Sequence, residues 1–326
     1  MSLDFGRSMT RRRALALAGG ATGTWMAGRG IPALAVPPRN PRMPAGHIRM
    51  PSEFAGITDI LQASGEMTHG ILHIGIDRND ITNVTLRGVP IRPCFAINGD
   101  IYFQALGNGR ALVNGDVALK ANEVQPFIDR LLAHHFALQA LHQHFYDFSP
   151  PVWYIHYRAV GVPLELARGY KAALSVTSTP FPQRPPANPT TPLPASELGA
   201  IIGGAAQIGE DGVVHIDIPR KEQVTLAGIV ANPYLNIAAP IDFQPHGGGE
   251  NAAAIVDFGM IGSEVDAVTG AMRAKGWDVG CLYNQETEQQ PQLFFAHMFK
   301  TGNARRLARE IRAGLELTNS ALGVAA

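Results

Sequence analysis

The spacing of apolar residues along the chain predicts short strands and amphipathic helices. A short helix is predicted over 53–61, and strands are predicted over 70–76, 84–86 and 101–106, with a further strand ending at Asp116. Helical spacing recurs in two places, at Val124, Phe127, Ile128, Leu131 and Leu132 and then at Leu166, Tyr170 and Leu174. We predict Asn122 as the N-cap of the first of these two helices.

The second half of the chain repeats the first. The segment Gly70-Ile71-Leu72-His73-Ile74 matches Gly212-Val213-Val214-His215-Ile216. Farther on the spacing between matched residues becomes constant, with these pairs: Asp116 and Asp257, Leu141 and Leu282, His156 and His297, Gly161 and Gly302. Constant spacing over so many positions indicates a tandem duplication. Ser263 then takes the place of Asn122, and Leu307, Ile311 and Leu315 repeat the closing helix.

Each copy has the order strand, helix, strand, strand, helix in its second part. This order predicts an α+β fold of two tandem homologous domains, each an antiparallel sheet with helices on one face, a ferredoxin-like layer with extra N-terminal strands. Those leading strands either extend the sheet or curl into a small barrel. Seven prolines between 175 and 195 favour an extended spacer. The predicted segments are a first domain (52–174), this linker (175–195), a second, degenerate domain (196–317) and a tail (318–326).

The N-terminus has the pattern of a targeting segment. Arg11, Arg12 and Arg13 precede an Ala/Gly-rich stretch, and Ala33-Leu34-Ala35 supplies a cleavage pattern of small residues. We therefore predict a twin-arginine signal peptide over 1–35, a flexible arm over 36–51, and a periplasmic or secreted protein. The alternative is a basic start with a short helix. No Cys lies near the cleavage point, so no lipid anchor is predicted.

Composition narrows the class of protein. The 326 residues are 46% hydrophobic, enough for two domains with their own cores. Acidic and basic residues balance at a formal net charge of zero, which gives no support for nucleic acid as a partner. Beyond the N-terminus no apolar run is long enough to predict a membrane-spanning helix. We expect the only two cysteines, Cys94 and Cys281, to be free thiols rather than a disulfide.

The candidate chemistry lies in a predicted β-hairpin formed by residues 141–145 and 153–157. If residue 144 pairs with 154 and residue 142 with 156, then His142, His144 and His156 lie on one face of the sheet. That face would continue the row Phe136, Leu138 and Ala140. Three imidazoles on a rigid sheet could bind zinc, copper or iron and leave one coordination position open. The alternative is that these histidines are hydrogen-bonded structural residues.

The other motifs in the sequence give weaker support for a particular chemistry. His246-Gly247-Gly248-Gly249 resembles the oxyanion-hole loop of lipases, but the chain has no Gly-x-Ser-x-Gly nucleophile motif. We interpret it, and the matching Gly107-Asn108-Gly109, as hairpin turns. No glycine motif for a nucleotide cofactor precedes a helix. Asp116 and Asp257 either orient an imidazole or simply end a strand. His134 and His135 are expected to end a helix.

The two copies differ at the histidines, because the second keeps His297 but has Tyr283 and Gln285 in place of His142 and His144. With its His-x-His hairpin, the following strand with His156 and the closing Leu166-Ala167-Arg168 helix, the chain resembles the LppY/LpqO family of exported bacterial proteins. That family is built from an often duplicated domain of unknown function. The resemblance covers about residues 52–317 and implies a fold and a location rather than an activity. Its members are often lipoproteins, whereas this chain lacks the lipobox.

Three functional hypotheses follow. The leading one is an exported, soluble protein with one divalent metal bound by His142, His144 and His156. One form of this hypothesis is a metal-dependent enzyme acting on a small molecule. No catalytic residue is assigned, although Tyr154 would be the nearest proton donor or orienting group. The second is a non-catalytic periplasmic protein whose two lobes bind a small molecule or a metal. The third is an envelope interaction protein with structural histidines.

Overall fold

The computed structural model of the protein describes residues 50–184 and 189–323. The predicted signal peptide and all but the last two residues of the predicted arm lie outside these residues. No helix within the described ranges is long and apolar enough to cross a membrane.

The first domain has a short 3₁₀ turn at Ser52–Phe54 and another at Ala121–Glu123. Its helices are α1 (Ile57–Leu61), α2 (Pro93–Ala96), α3 (Val124–Ala133) and α4 (Pro163–Leu174). Its strands are β1 (Glu66–Thr68), β2 (Ile71–Asp77), β3 (Thr85–Leu86), β4 (Val89–Pro90), β5 (Asn98–Gly107), β6 (Arg110–Leu119), β7 (Ala137–His142), β8 (Phe148–Ser149) and β9 (Trp153–Gly161).

The second domain repeats this order with fewer helices. Its helices are α5 (Ala195–Ile202), α6 (Val265–Ala274) and α7 (Ala304–Leu315), with a 3₁₀ turn at Glu210–Gly212. Its strands are β10 (Ala206–Ile208), β11 (Val214–Ile218), β12 (Thr225–Leu226), β13 (Ile229–Val230), β14 (Ala239–Pro245), β15 (Asn251–Ile261), β16 (Asp278–Val279), β17 (Gln289–Gln290) and β18 (Leu293–Asn303).

Each domain is built on a six-stranded antiparallel sheet, so the predicted α+β class is confirmed. The strand orders are β1-β2-β5-β6-β9-β7 and β10-β11-β14-β15-β18-β16, the same arrangement twice. The leading strands β1, β2 and β5 extend the sheet rather than closing a barrel. β3 leaves it and forms a separate three-stranded sheet with β4 and β8, as β12 does with β13 and β17.

Alternation along the strands explains how the sheets are used. On β6, Val113 and Val117 pack under the helices, in a core that includes Phe127 of α3 and Tyr170 of α4. The side chains between them along the strand point to the opposite face of the sheet, toward the other domain. There the two sheets share apolar clusters, one of which joins Tyr154 and Phe145 of the first domain with Ile255 and Phe299 of the second, among others. The layers are therefore helix, sheet, sheet, helix, and a polar inner face is enclosed between the domains.

The predicted helix over 53–61 is not continuous. Gly56, with a φ of +90°, separates the 3₁₀ turn from α1, because a left-handed residue ends regular helix geometry. The predicted N-cap Asn122 is also wrong. Glu123 lies at the N-cap of α3, and its side chain accepts a hydrogen bond from the backbone nitrogen of Lys120 at 2.9 Å. In the second domain Glu264 does the same for Ile261.

These two glutamates also bind equivalent arginines. The Arg78 side chain is fully buried and lies 2.7 Å from Glu123, and Arg220 lies 2.7 Å from Glu264. Each arginine also donates to a backbone carbonyl of its own sheet, that of Ala118 or Gly259. A buried guanidinium needs such partners because an unpaired buried charge is strongly destabilising. The pair thus fastens the start of α3 or α6 to its sheet.

Both glycine loops are turns, as predicted. Gly107, Asn108 and Gly109 join β5 to β6, and residues 247–249 lie between β14 and β15, all with positive φ. Residues 175–184 and 189–194 of the linker contain no helix or strand, and α5 begins at Ala195. The backbone nitrogen of Ser178 donates to Glu123 of the first domain at 2.8 Å, whereas Leu193 packs in the core of the second. Cys94 and Cys281 are both free.

Candidate metal centre

The histidine hairpin forms, but with a different register from the predicted one. His142 pairs with Tyr154, and Ala140 pairs with His156, two residues away from the expected alignment. A shift of two residues leaves side chains on the same face, so the three histidines still converge. His144 lies beyond the end of β7, in the turn.

β7 also contains a β-bulge between Leu138 and Ala140, on the side of the histidine pairs away from the turn. The extra residue, Gln139, turns toward the second domain and accepts hydrogen bonds from the backbone and hydroxyl of Thr287, both at 2.9 Å. The bulge also changes which residues share a face. Phe136 packs in the helix-side core, so the predicted row from Phe136 to His142 is wrong.

The three histidines place their ring nitrogens close together. One ring nitrogen from each of His142, His144 and His156 lies within 4.8 Å of the other two. The Nε2 atoms of His142 and His156 are 3.0 Å apart. Two nitrogens bound to one tetrahedral zinc at about 2.0–2.1 Å are about 3.3 Å apart. The spacing therefore suits two ligands of one ion.

Burial keeps these imidazoles neutral, the form that binds metals. It lowers the pKa of His142 to about 4, and it lowers the pKa of His144 and His156 well below the ordinary range. Nδ1 of His142, Nε2 of His144 and Nδ1 of His156 have no hydrogen-bond partner, although all three atoms are buried. Buried polar atoms are rarely left unpaired. Hydrogen bonding within the protein core therefore does not fully account for these three histidines.

Two aromatic rings stack on the imidazole of His144. The rings of Tyr154 and His297 stack on His144 with centroid separations of 3.3 Å and 3.7 Å. His297 does not belong to the group of converging ring nitrogens, so it forms a wall of the site. The hydroxyl of Tyr154 donates to the carbonyl of Ala96. Tyr154 therefore orients His144. Its hydroxyl proton is already used in the hydrogen bond to Ala96.

The second domain covers the site with residues that the sequence reasoning did not assign to it. Tyr283 stacks on His142 at 3.8 Å and donates to Asp257 at 3.1 Å. Sγ of Cys281 lies 3.3 Å from Nδ1 of His297. In the sequence, the match of these residues to the first hairpin in the repeat was the sign that could have identified them. They contact the first hairpin only because the two domains pack face to face.

Asp116 and Asp257 lie in the middle of β6 and β15, so the interpretation that each ends a strand is wrong. Asp116 pairs in register with His156, and Asp257 with His297. Oδ1 of Asp257 is 3.6 Å from Nδ1 of His297, too long for a hydrogen bond, and it has no other partner. Burial raises the pKa of Asp257 to about 8. A carboxyl group that titrates near neutral pH can accept or donate a proton.

A cavity of about 540 Å³ opens between the two sheets beside the histidines. His144, His156, Asp116 and Asp257 are among its lining residues. This volume lies within the range of about 300–1,000 Å³ that is usual for small-molecule sites. Two of the three candidate ligands are therefore accessible from a space that could hold a small molecule.

The same cavity contains two His–Asp pairs that the sequence reasoning missed. His73 lies 2.6 Å from Asp100, and the matched His215 bonds Asp242. Although burial opposes it, contact with the carboxylates raises the pKa of both imidazoles. The repeat match of His73 with His215 was the signal that could have identified them.

Comparison with known proteins identifies the family. The family described as Domain of Unknown Function (DUF1259) matches the chain twice, over residues 55–176 and 196–317. Searches of the curated proteins and of the solved structures found no match. The two matched segments contain the two sheets and include all three histidines. The chain belongs to the Domain of Unknown Function (DUF1259) family and contains this domain in duplicate.

Proposed function

We propose that the protein binds one divalent transition metal through His142, His144 and His156 and presents it to a small molecule in the cavity between the sheets. The observation that carries this proposal is the convergence of three neutral, buried imidazoles, with one ring nitrogen of each within 4.8 Å of the other two. Nitrogen ligands of this kind suit zinc, copper or iron.

We further propose that the protein is exported. The arginines at 11–13, the Ala/Gly-rich stretch and Ala33-Leu34-Ala35 support a twin-arginine signal. The resemblance to the LppY/LpqO proteins supports the same location. Because twin-arginine substrates cross the membrane already folded, the metal would be inserted in the cytoplasm.

As an enzyme, the protein would use its metal to activate a bound water or to polarise a carbonyl group. The side chains around it have separate tasks. His297 and Tyr154 hold the His144 ring in place by stacking. Asp257 is the carboxyl group that would move a proton, because its free Oδ1 lies at the cavity wall and its pKa is near neutral.

A non-catalytic carrier of metal is the second candidate. The near-complete burial of His144 and His156, which are 8% and 2% exposed, favours it because a metal enclosed by its ligands has little room for a substrate. Measurements of catalytic turnover and of metal exchange distinguish the enzyme from the carrier. An enzyme retains its metal through many reactions, whereas a carrier transfers it to a chelator or partner on the timescale of delivery.

Elemental analysis of protein purified without a His-tag or chelator tests the proposal. We expect about one equivalent of zinc, copper or iron, and its loss in the His142→Ala/His144→Ala protein. Circular dichroism would show that the variant remains folded. Refilling with Co²⁺ gives a visible absorption band that reports tetrahedral nitrogen coordination. Neither native metal nor Co²⁺ absorption in the folded unmodified protein would refute the proposal.

A further inference from the structure

The cavity between the sheets has a strongly one-sided charge. Eight Asp and Glu side chains line it, and none of its described lining residues is Lys or Arg. The whole chain has 27 acidic and 27 basic residues, so the cavity does not simply reflect composition. Carboxylates gathered in an enclosed space repel one another and attract cations.

Few of these carboxylates are neutralised within the protein. Asp100 and Asp242 each bond one histidine. Asp77, Asp116 and Asp217 form no ion pair in the described part of the chain. Repulsion of this kind persists in folded proteins mostly at functional sites.

One buried atom independently indicates a missing partner. Asp257 is only 4% exposed, lines the cavity, and has an Oδ1 atom without a hydrogen-bond partner. A buried carboxylate oxygen left unpaired is costly, and a donor from a bound molecule would satisfy it.

The arrangement does not suit a second metal ion. In the residues that the structure describes, only the three histidines gather ligand atoms within coordination distance of one another. The carboxylates are too dispersed for one small ion, whereas a molecule with several amino groups can reach more than one of them. Anionic molecules are excluded by repulsion.

Aromatic rings in the cavity wall complete the site. Tyr102 stacks on His73 at 4.5 Å, and Tyr234 stacks on His69 at 3.6 Å. Both tyrosines line the cavity. Aromatic faces attract ammonium groups and pack against the methylene chains between them.

We infer that this cavity binds an organic di- or polyamine, through Asp77, Asp217 and Asp257 and the two tyrosine rings. As a statement about the substrate of the metal centre, the inference rests on the proposed function. Binding of the amine itself depends only on the cavity.

Titration calorimetry with spermidine tests the inference on the full mature protein. We expect saturable binding to the unmodified protein and binding weaker by about tenfold or more in Asp77→Asn/Asp217→Asn, because charged hydrogen bonds are lost. Asp129→Asn, an exposed change on α3, is the matched control and should bind as the unmodified protein does. Thermal melting of each variant verifies the fold.

Three outcomes would overturn the inference: no binding of spermidine, equal binding by the double variant, or displacement by MgCl₂ as effective as displacement by another polyamine. The last would indicate only a diffuse negative field. The His142→Ala protein separates this inference from the proposed function, because His142 is not among the described lining residues of the cavity. It should lose metal but keep spermidine binding, so failure of either idea would be seen on its own.

Discussion

The two hairpins of this protein have the same strand register and different chemistry. His142 pairs with Tyr154 in the first domain, and the matched Tyr283 pairs with Phe295 in the second. The first hairpin presents three histidines, whereas the second presents Tyr283, Gln285 and His297. Because the sheets face each other, the second set covers the first. The comparison indicates that duplication produced a binding half and a covering half rather than two equal sites.

The framework of the two domains has diverged less than the hairpins. Arg78 with Glu123 and Arg220 with Glu264 keep the same buried contact in both copies. His73 with Asp100 and His215 with Asp242 are also kept. These contacts are kept while the histidines of the hairpin are not, and the following experiments test that contrast.

The largest effect is expected from His144→Gln, which gives the first hairpin the residue of the second. It removes one of the three candidate ligands, so we expect metal affinity to fall by at least about a hundredfold, more than the loss of a supporting residue would cause. Competition with a chromophoric chelator measures this. His134→Gln, at the exposed end of α3, is the control and should leave affinity unchanged. Equal affinity of His144→Gln and unmodified protein would contradict the ligand assignment.

Glu123→Gln should be the most destabilising change outside the metal centre. It leaves the fully buried Arg78 with one carboxylate partner fewer, and breaking a buried ion pair costs about 3–5 kcal/mol. Glu264→Gln should cost less, because the Glu264 side chain is 13% exposed against 4% for Glu123.

Urea unfolding measures both changes. Glu316→Gln is the control, since its pair with Arg312 is on the surface and should contribute no more than about 1 kcal/mol. If Glu123→Gln were no more destabilising than Glu316→Gln, the buried pair would not stabilise the start of α3.

Tyr283→Ala tests whether the second domain supports the first hairpin. Loss of the ring that stacks on His142 should weaken metal binding by about 10–100-fold, the usual effect of removing a supporting residue. Tyr283→Phe keeps the stacking and loses only the hydrogen bond to Asp257, so it should bind nearly as the unmodified protein does. Equal metal affinity of the Ala and Phe variants would show that the second domain does not support the site.

Asp77→Asn should show a stability effect that depends on pH. Burial and neighbouring carboxylates raise the pKa of Asp77 from 3.8 to about 6. As pH falls through 6 the folded protein takes up a proton while the unfolded chain does not, so the native state gains stability on acidification. Above pH 6 the ionised carboxylate is therefore destabilising, by about 1–3 kcal/mol.

Asparagine does not ionise, so Asp77→Asn should melt higher than the unmodified protein at pH 8, and the difference should vanish near pH 4. Asp217→Asn should behave similarly but more weakly, because solvent in the cavity screens the more exposed Asp217. A difference between variant and unmodified protein that did not change with pH would refute this explanation.

The smallest effect is expected at the positions wrongly predicted as N-caps. Asn122→Ala and Ser263→Ala should change the free energy of unfolding by no more than about 0.5 kcal/mol, because both side chains are exposed. Asn303→Ala is the positive control. Its side chain caps α7 by accepting from the nitrogen of Arg306 at 3.2 Å, and its loss should cost about 1 kcal/mol.

The spacing of residues along the sequence predicted those elements that depend on interactions between near neighbours in the chain. Helical spacing located α3, α4 and α7, the repeat identified two like domains, and the alternation of His142 and His144 located the hairpin. The register was wrong because β7 ends at His142, and Phe145, which follows in the turn, packs against Phe299 of the second domain, far away in the sequence. Nothing in the hairpin itself encodes that contact.

The enclosed inner face could not be predicted in the same way. A strand such as β6, with Asn114 and Asp116 between apolar residues, has the pattern of a half-exposed strand. Here the polar face meets another polar face and encloses a cavity. Only the packing of one domain on the other distinguishes this arrangement from a face open to solvent.

Anomalous diffraction from crystals of native or zinc-soaked protein would test the central claim most directly. We predict a single strong peak, at the absorption edge of the bound metal, between the ring nitrogens of His142, His144 and His156 and beneath the rings of Tyr283 and His297. A peak at a different set of residues, or no peak after soaking, would contradict the assignment of the first hairpin as the metal-binding half.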